Sequence, residues 1–113
     1  MSRTNDSVIM KLREASVEIN SLFITRAMVV RFFGIYGGSR AKAEQAYGAM
    51  SKNYETYLDA HGLVNPGLGG IPRSIALDYL ALFGITPEAI DRDLKAREAD
   101  KEEGKERQEQ GGN

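Results

Sequence analysis

The amino-acid sequence predicts an all-α protein, a compact bundle of about five helices with a charged C-terminal tail. Apolar residues recur at spacings of three and four, as on the buried face of an amphipathic helix, and strand signals are nearly absent. The chain has 113 residues, of which 42% are hydrophobic, enough for one domain with one core. These residues lie almost entirely between Val8 and Leu94. We therefore expect a single helical domain at 1–94 and a charged, helical-to-disordered tail at 95–113.

Capping residues and glycines set the predicted helix boundaries. Ser, Thr and Asp accept hydrogen bonds from the first free N–H groups of a helix, and Gly adopts the left-handed conformation that ends one. These signals predict helices over about 7–22, 26–33, 39–60 and 74–83, and a fifth opened by Thr86-Pro87-Glu88. Gly34 is expected to stop the second helix. The glycine-rich segment 62–72 is expected to be the main loop, and we expect disorder beyond Gly104.

A short motif occurs twice in the chain. Phe33-Gly34-Ile35 recurs as Phe83-Gly84-Ile85, each time after an apolar helix and before a Ser or Thr cap. This is explained either by a duplicated helix–turn–helix unit or by generic helix capping that arose independently. Both explanations remain open at the level of sequence.

Composition argues against several classes of function. The chain has no cysteine, which excludes disulfides and thiolate metal sites and favours a cytoplasmic location. No apolar run reaches the roughly 18 residues of a membrane span, and no secretion signal is evident. The single histidine, His61, precedes a helix-ending glycine, and Asp91 and Asp93 face different directions. We therefore expect no enzyme activity, no catalytic residues, no metal and no cofactor.

The formal net charge of −1 hides an uneven distribution along the chain. Between residues 21 and 54 there are five basic side chains and one acidic one, a net charge of +4. Between residues 93 and 113 there are five basic and seven acidic side chains, a net charge of −2. Electrostatic fields at a surface are screened within a Debye length of about 10 Å. The positive charge of the middle segment, and not the net charge of the chain, therefore indicates the sign of the partner's charge.

Residues 25–57 form the most informative segment. A short apolar helix, a glycine-containing turn and a longer helix that opens at Ser39 follow one another there. This order resembles the generic helix-turn-helix DNA-binding superfamily, and the matching positions are Gly34-Ile35, Ser39-Arg40, Ala43 and Ala46-Tyr47. Tyr36-Gly37-Gly38 lengthens the turn relative to its tightest form, and Val30 stands where a small residue is usual. The resemblance implies that the helix 39–60 lies in the major groove of DNA.

The outward face of that helix admits two interpretations. Basic and amide side chains can contact phosphates and base edges, and a helix N-terminus suits a phosphate. The candidate DNA-contacting residues are Arg26, Arg31, Ser39, Arg40, Lys42, Gln45 and Lys52. In the other interpretation these are ordinary solvated residues, and Ala41, Gly48 and Ala49 allow another helix to pack closely.

Taken together, these features favour a small cytoplasmic regulatory protein that binds double-stranded DNA and forms a homodimer, with no membrane partner. The alternative is a protein-binding adaptor, chaperone or inhibitor of the anti-activator type, acting through an apolar helical face. The fifth helix is either a solvated tail or a helix that docks on a partner, or on a second copy, through Ile90 and Leu94.

Overall fold

The computed structural model describes residues 2–67 and 69–111, and the side chains of residues 6–67 and 69–101. Within these residues the all-α prediction is confirmed, since the chain forms five helices and only one minor pair of two-residue strands. The elements in chain order are α1 (Ser2–Glu18), β1 (Phe23–Ile24), α2 (Arg26–Ile35), α3 (Arg40–Ala60), β2 (Ile71–Pro72), α4 (Arg73–Ala81) and α5 (Pro87–Gly111).

The helices α1, α2, α3 and α4 and the start of α5 share one contiguous core. Phe32 of α2 is fully buried, together with Leu12 of α1 and Met50 of α3. Burying a side chain of this size contributes about 2 kcal/mol relative to leaving it in water. Ile90 is also fully buried and Leu94 packs against the same core. Ile90 is therefore occupied within the chain and is not free to dock on a partner, and Leu94 is only partly exposed.

The two strands join the start of α2 to the start of α4. They pair antiparallel, with Phe23 opposite Pro72 and Ile24 opposite Ile71. A strand of two residues is too short to show an alternation of apolar and polar residues, so the sequence pattern did not indicate it. The pairing brings together two chain segments that are separated in sequence by α2, α3 and the loop after α3.

Arg73, the first residue of α4, holds the end of α1. Its Nε donates a hydrogen bond of 2.9 Å to the carbonyl of Ile19, and its guanidinium donates one of 3.1 Å to Oδ1 of Asn20. Its backbone N–H donates to the carbonyl of Leu22 over 3.0 Å.

The prediction that the first helix continues to Leu22 is wrong. α1 ends at Glu18, because the chain must turn there to reach β1.

α2 also ends at a different residue from the one that the sequence predicts. α2 continues through Gly34 to Ile35, and Gly37 is the residue with the left-handed φ of 76°. The N–H of Gly38 donates to the carbonyl of Phe33 over 2.7 Å, and that of Gly37 to the carbonyl of Gly34 over 3.2 Å. This pair of bonds is the Schellman arrangement that satisfies the last carbonyls of a helix. The apparent lengthening of the turn is thus the terminator of α2.

The repeated Phe-Gly-Ile motif has no common structure at its two sites. Gly84 has a φ of 75°, and the N–H of Ile85 donates to the carbonyl of Leu80 over 3.0 Å, so Gly84 itself ends its helix. Gly34, in contrast, lies inside α2. The two glycines have different conformations, which favours independent capping over duplication. The predicted cap of α5 is confirmed, since Oγ1 of Thr86 accepts the N–H of Ala89 over 3.0 Å.

α5 lies antiparallel to α1. Nζ of Lys101 is 2.6 Å from Oδ1 of Asp6 near the start of α1, and the guanidinium of Arg13 is 3.8 Å from the Glu98 carboxylate. These pairs lie beyond Leu94, the predicted end of the domain, so residues 95–101 lie beside α1.

The charged tail predicted at 95–113 therefore begins within a helix of the bundle. α5 is helical to Gly111, past Gly104 where disorder was expected to begin. Residues 112 and 113, and the side chains from residue 102 onward, lie outside the described part of the chain.

Candidate functional site

The α2–turn–α3 unit is built by two capped helices that pack closely. Oγ1 of Thr25 accepts the N–H of Met28 over 3.3 Å, and Oγ of Ser39 accepts the N–H of Lys42 over 3.1 Å. Both caps were predicted from sequence and each satisfies a free N–H at a helix start. Ala43, on the inner face of α3, is fully buried in the core shared with α2. A small side chain there lets the two helices approach closely.

The outer face of α3 carries an exposed stripe, which we name the α3 ridge. Its members are Lys42, Gln45, Ala49 and Lys52, all exposed to solvent. Their spacings of three, four and three residues place them on one side of the helix. From Lys42 to Lys52 the ridge extends about 15 Å along the axis, at 1.5 Å per residue. Neither lysine forms an ion pair with a described side chain.

The small residues on this face are not covered. Ala41, Gly48 and Ala49 are exposed, so no described part of the chain packs over them. Close packing of another helix against these residues, which was the alternative to a binding face, does not occur within the described chain. The face is therefore open to an external partner.

Acidic side chains border the ridge and reduce its charge. α3 contains three basic residues and three acidic ones, so the helix as a whole is neutral. Nε of Arg40 lies 3.3 Å from Oε1 of Glu44, one turn further along, and both side chains are largely exposed. Exposed pairs of this kind exchange readily with other partners, because each is worth less than about 1 kcal/mol.

The predicted contact residues on α2 lie on two different sides of that helix. Arg31 faces α1, where its guanidinium makes a two-pronged hydrogen bond with the Glu18 carboxylate. This bond, more than any other effect, raises the pKa of Arg31. Arg26 faces α3, with its guanidinium 5.4 Å from the centre of the Tyr47 ring, within cation–π range. The structure thus places Lys42, Gln45 and Lys52 on the ridge, Ser39 and Arg40 at the start of α3, and both arginines of α2 away from the ridge.

A groove that sequence reasoning missed lies next to Arg26. It has a volume of about 560 Å³ between the start of α2, the middle of α3 and the loop before β2, with Ser51, Glu55 and Asn65 in its lining. Oδ1 of Asn65 accepts the N–H of Gly67 over 2.9 Å, which forms a tight turn in the loop. Segments far apart in sequence form this groove, so no local pattern signals it.

The end of α3 holds the single histidine. Nδ1 of His61 is 2.9 Å from the carbonyl oxygen of Tyr57, and the two rings stack with centres 4.2 Å apart. The imidazole thus interacts with the last turn of α3. Among the described residues, no group of three or more histidine, aspartate or glutamate side chains is arranged to hold a metal ion.

Comparisons with models of known protein families, with curated proteins and with solved structures found no match. None of the described helices has both the length and the apolar character required to cross a membrane.

Proposed function

We propose that this protein is a small regulator that binds double-stranded DNA through the α3 ridge. The observation that carries the proposal is an exposed line of two lysines, neither paired with a described side chain, and a glutamine on α3, the second helix of the α2–turn–α3 unit. A helix about 10–12 Å wide fits the major groove of B-DNA, which is about 12 Å wide. Gln45 would then face base edges, and Lys42 and Lys52 would reach phosphates.

Two further features support this docking mode. Ala41, Gly48 and Ala49 place little bulk on the outer face, so the α3 backbone can approach the groove closely. The free N–H groups and the Arg40 side chain at the start of α3 make that helix end attractive to a phosphate. Arg26, which lies over the Tyr47 ring, and Arg31, which pairs with Glu18, are both away from the ridge, so neither is part of this docking mode.

The test is fluorescence anisotropy with a random-sequence duplex at several salt concentrations. Each lysine that neutralises a phosphate contributes about 0.9 to the slope of log affinity against log salt. We expect Lys42→Ala and Lys52→Ala each to lower the slope by about that amount. Lys11→Ala, which removes an exposed lysine of α1, is the matched control and should leave the slope unchanged. Absence of binding at low salt, or equal effects of all three variants, would contradict the proposal.

A second candidate function is suggested by exposed apolar residues at the end of α4. Leu82 and Phe83 are 78% and 55% exposed, and the Phe83 ring lies against the buried Phe33 with centres 5.0 Å apart. Contiguous exposed apolar side chains are one mark of a protein-interaction site. A pull-down after nuclease treatment, comparing the wild type with Leu82→Asp, tests an adaptor or inhibitor role. Loss of a captured protein in the variant alone would favour it over DNA binding.

A further inference from the structure

The outer face of α1 carries an apolar and charged stripe that the fold does not use. Met10 and Val17 are 62% and 74% exposed, and Arg13 and Glu14 between them are exposed too. Arg13, Glu14 and Val17 follow Met10 by three, four and seven positions. All four residues therefore lie on one face of the helix. A spacing of seven residues between large apolar side chains is typical of the a or d positions, which form the contact seam of a coiled coil. We name this set the α1 stripe.

The two charges of the α1 stripe are arranged symmetrically. At 100° per residue, the line from Met10 to Val17 runs along the middle of the exposed face. Arg13 lies about 50° to one side of that line and Glu14 about 50° to the other. The stripe therefore has a nearly uncharged centre, one positive edge and one negative edge.

This pattern matches a second copy of itself in one orientation. If two α1 helices run parallel about a two-fold axis, the positive edge of each faces the negative edge of the other. Arg13 then lies opposite Glu14 of the partner subunit on both sides, while Met10 and Val17 meet their own equivalents at the centre. In an antiparallel pair each edge would meet its own equivalent, so both arginines and both glutamates would be opposed. We propose that the α1 stripe is the interface of a parallel, two-fold homodimer.

Interactions within the chain do not prevent this pairing. Arg13 reaches Glu98 only at 3.8 Å, with both side chains substantially exposed. Glu14 lies near Arg31, but the guanidinium of Arg31 is already engaged by Glu18. Exposed contacts of this strength contribute less than about 1 kcal/mol, so exchanging them for contacts to a partner costs little. α5 and α2 lie on either side of α1 and leave the stripe uncovered.

The size of the interface sets the expected strength. A single helix stripe buries less than the roughly 800 Å² per partner that is typical of stable complexes. We therefore expect a dimer that dissociates in the micromolar range, detected by sedimentation equilibrium over a range of protein concentrations. The proposal does not depend on DNA binding, since the α3 ridge takes no part in it.

Charge exchange is the first test. Arg13→Glu makes both edges acidic and Glu14→Arg makes both edges basic, so each variant alone should dimerise about tenfold more weakly, given two repulsive pairs per dimer. An equimolar mixture of the two should regain wild-type association, and so should the double variant R13E/E14R. Lys11→Glu, a charge reversal on α1 outside the stripe, should associate like the wild type. Far-UV circular dichroism of each variant confirms that the helices are retained.

Cross-linking tests the orientation directly, because the chain contains no native cysteine. In a parallel pair the two positions 17 are neighbours, so Val17→Cys should form a disulfide-linked dimer under mild oxidation. Lys11→Cys should remain largely monomeric under the same conditions. A wild type that stays monomeric at every concentration would overturn the proposal. So would single charge variants that dimerise as well as the wild type, or a Val17→Cys protein that cross-links no better than Lys11→Cys.

Discussion

The hydroxyl of Tyr36 donates a hydrogen bond of 2.8 Å to a carboxylate oxygen of Asp93. This bond fastens the turn between α2 and α3 to α5. Burial raises the pKa of Tyr36, and the bond to Asp93 raises it further. Burial alone would raise the pKa of Asp93, but the hydrogen bonds from Tyr36 and Arg92 outweigh this effect and lower it. The α2–α3 unit is therefore held in place by a contact outside it.

Removing this hydroxyl should destabilise the fold. We expect Tyr36→Phe to lower the free energy of unfolding by about 1 kcal/mol at pH 7, measured by urea denaturation. Tyr57→Phe is the matched control, because the Tyr57 hydroxyl makes no hydrogen bond with a described residue. Equal stability of the two variants would contradict a stabilising role for the bond.

The same variant should change the response to acid. The folded-state pKa of Asp93 is lowered, so its stabilising contribution is fully present above the ordinary pKa of about 4. That contribution is lost as the pH falls through the lower folded-state value. The stability difference between the wild type and Tyr36→Phe should therefore narrow below about pH 4, in a series of urea titrations. If the stability difference between the two proteins stayed constant down to pH 2, the ionised Asp93 carboxylate would not be the acceptor through which Tyr36 stabilises the fold.

Two nearby glycines should respond oppositely to alanine. Gly34 lies inside α2, and an added Cβ there would meet nothing within 4 Å, so Gly34→Ala should stabilise by about 0.5–1 kcal/mol. Gly37 has a φ of 76°, so Gly37→Ala should destabilise by about 1 kcal/mol or more. Thermal unfolding of both variants tests this assignment of the terminator. If Gly34→Ala were the destabilising variant, α2 would stop at Gly34, as the sequence predicts.

Arg73 should contribute to stability through its planar, two-armed hydrogen bonding to the end of α1. We expect Arg73→Ala to cost about 2 kcal/mol, since it leaves the Ile19 carbonyl and the Asn20 side chain without these partners. Arg73→Lys should recover only part of this loss, because an ammonium group cannot reproduce the guanidinium geometry. Lys95→Ala, on the exposed side of α5, should change the unfolding free energy by less than about 0.5 kcal/mol. Full rescue by lysine would indicate that charge alone is sufficient.

The start of α3 offers a separate test of the proposed DNA contact. Ser39→Asp and Ser39→Asn both retain an N-cap oxygen, so neither should lower the melting temperature appreciably. The aspartate adds a negative charge where a phosphate is proposed to lie, and should weaken duplex binding several-fold, whereas the asparagine should not. Anisotropy titrations of the two variants at one salt concentration make the comparison. Equal affinities would remove the α3 N-terminus from the proposed interface.

Local patterns predicted those parts of the fold that depend on residues close in sequence. The caps at Thr25, Ser39 and Thr86 and the bounds of α3 were predicted, because a cap forms between residues three positions apart. The exposure of Lys42 and Lys52 also follows from the helical period. The stop at Gly34 was predicted wrongly, because three glycines within residues 34–38 permit more than one terminator and the choice depends on how the turn packs.

The sequence by itself thus determined the helical class of this protein, the starts of α2, α3 and α5, and the basic outer face of α3, whereas α1 begins at Ser2 and not near residue 7 as predicted. Only the tertiary structure decided which charges remain available on that surface: Arg31 is engaged by Glu18, thirteen positions earlier, while Lys42 and Lys52 stay unpaired among the described residues. It also decided that Tyr36 joins the turn to Asp93 of α5 and that β1 pairs with β2. The physical reason is range. Helical periodicity and capping act within one turn, whereas ion pairs, strand pairing and burial depend on which distant segments the core brings together.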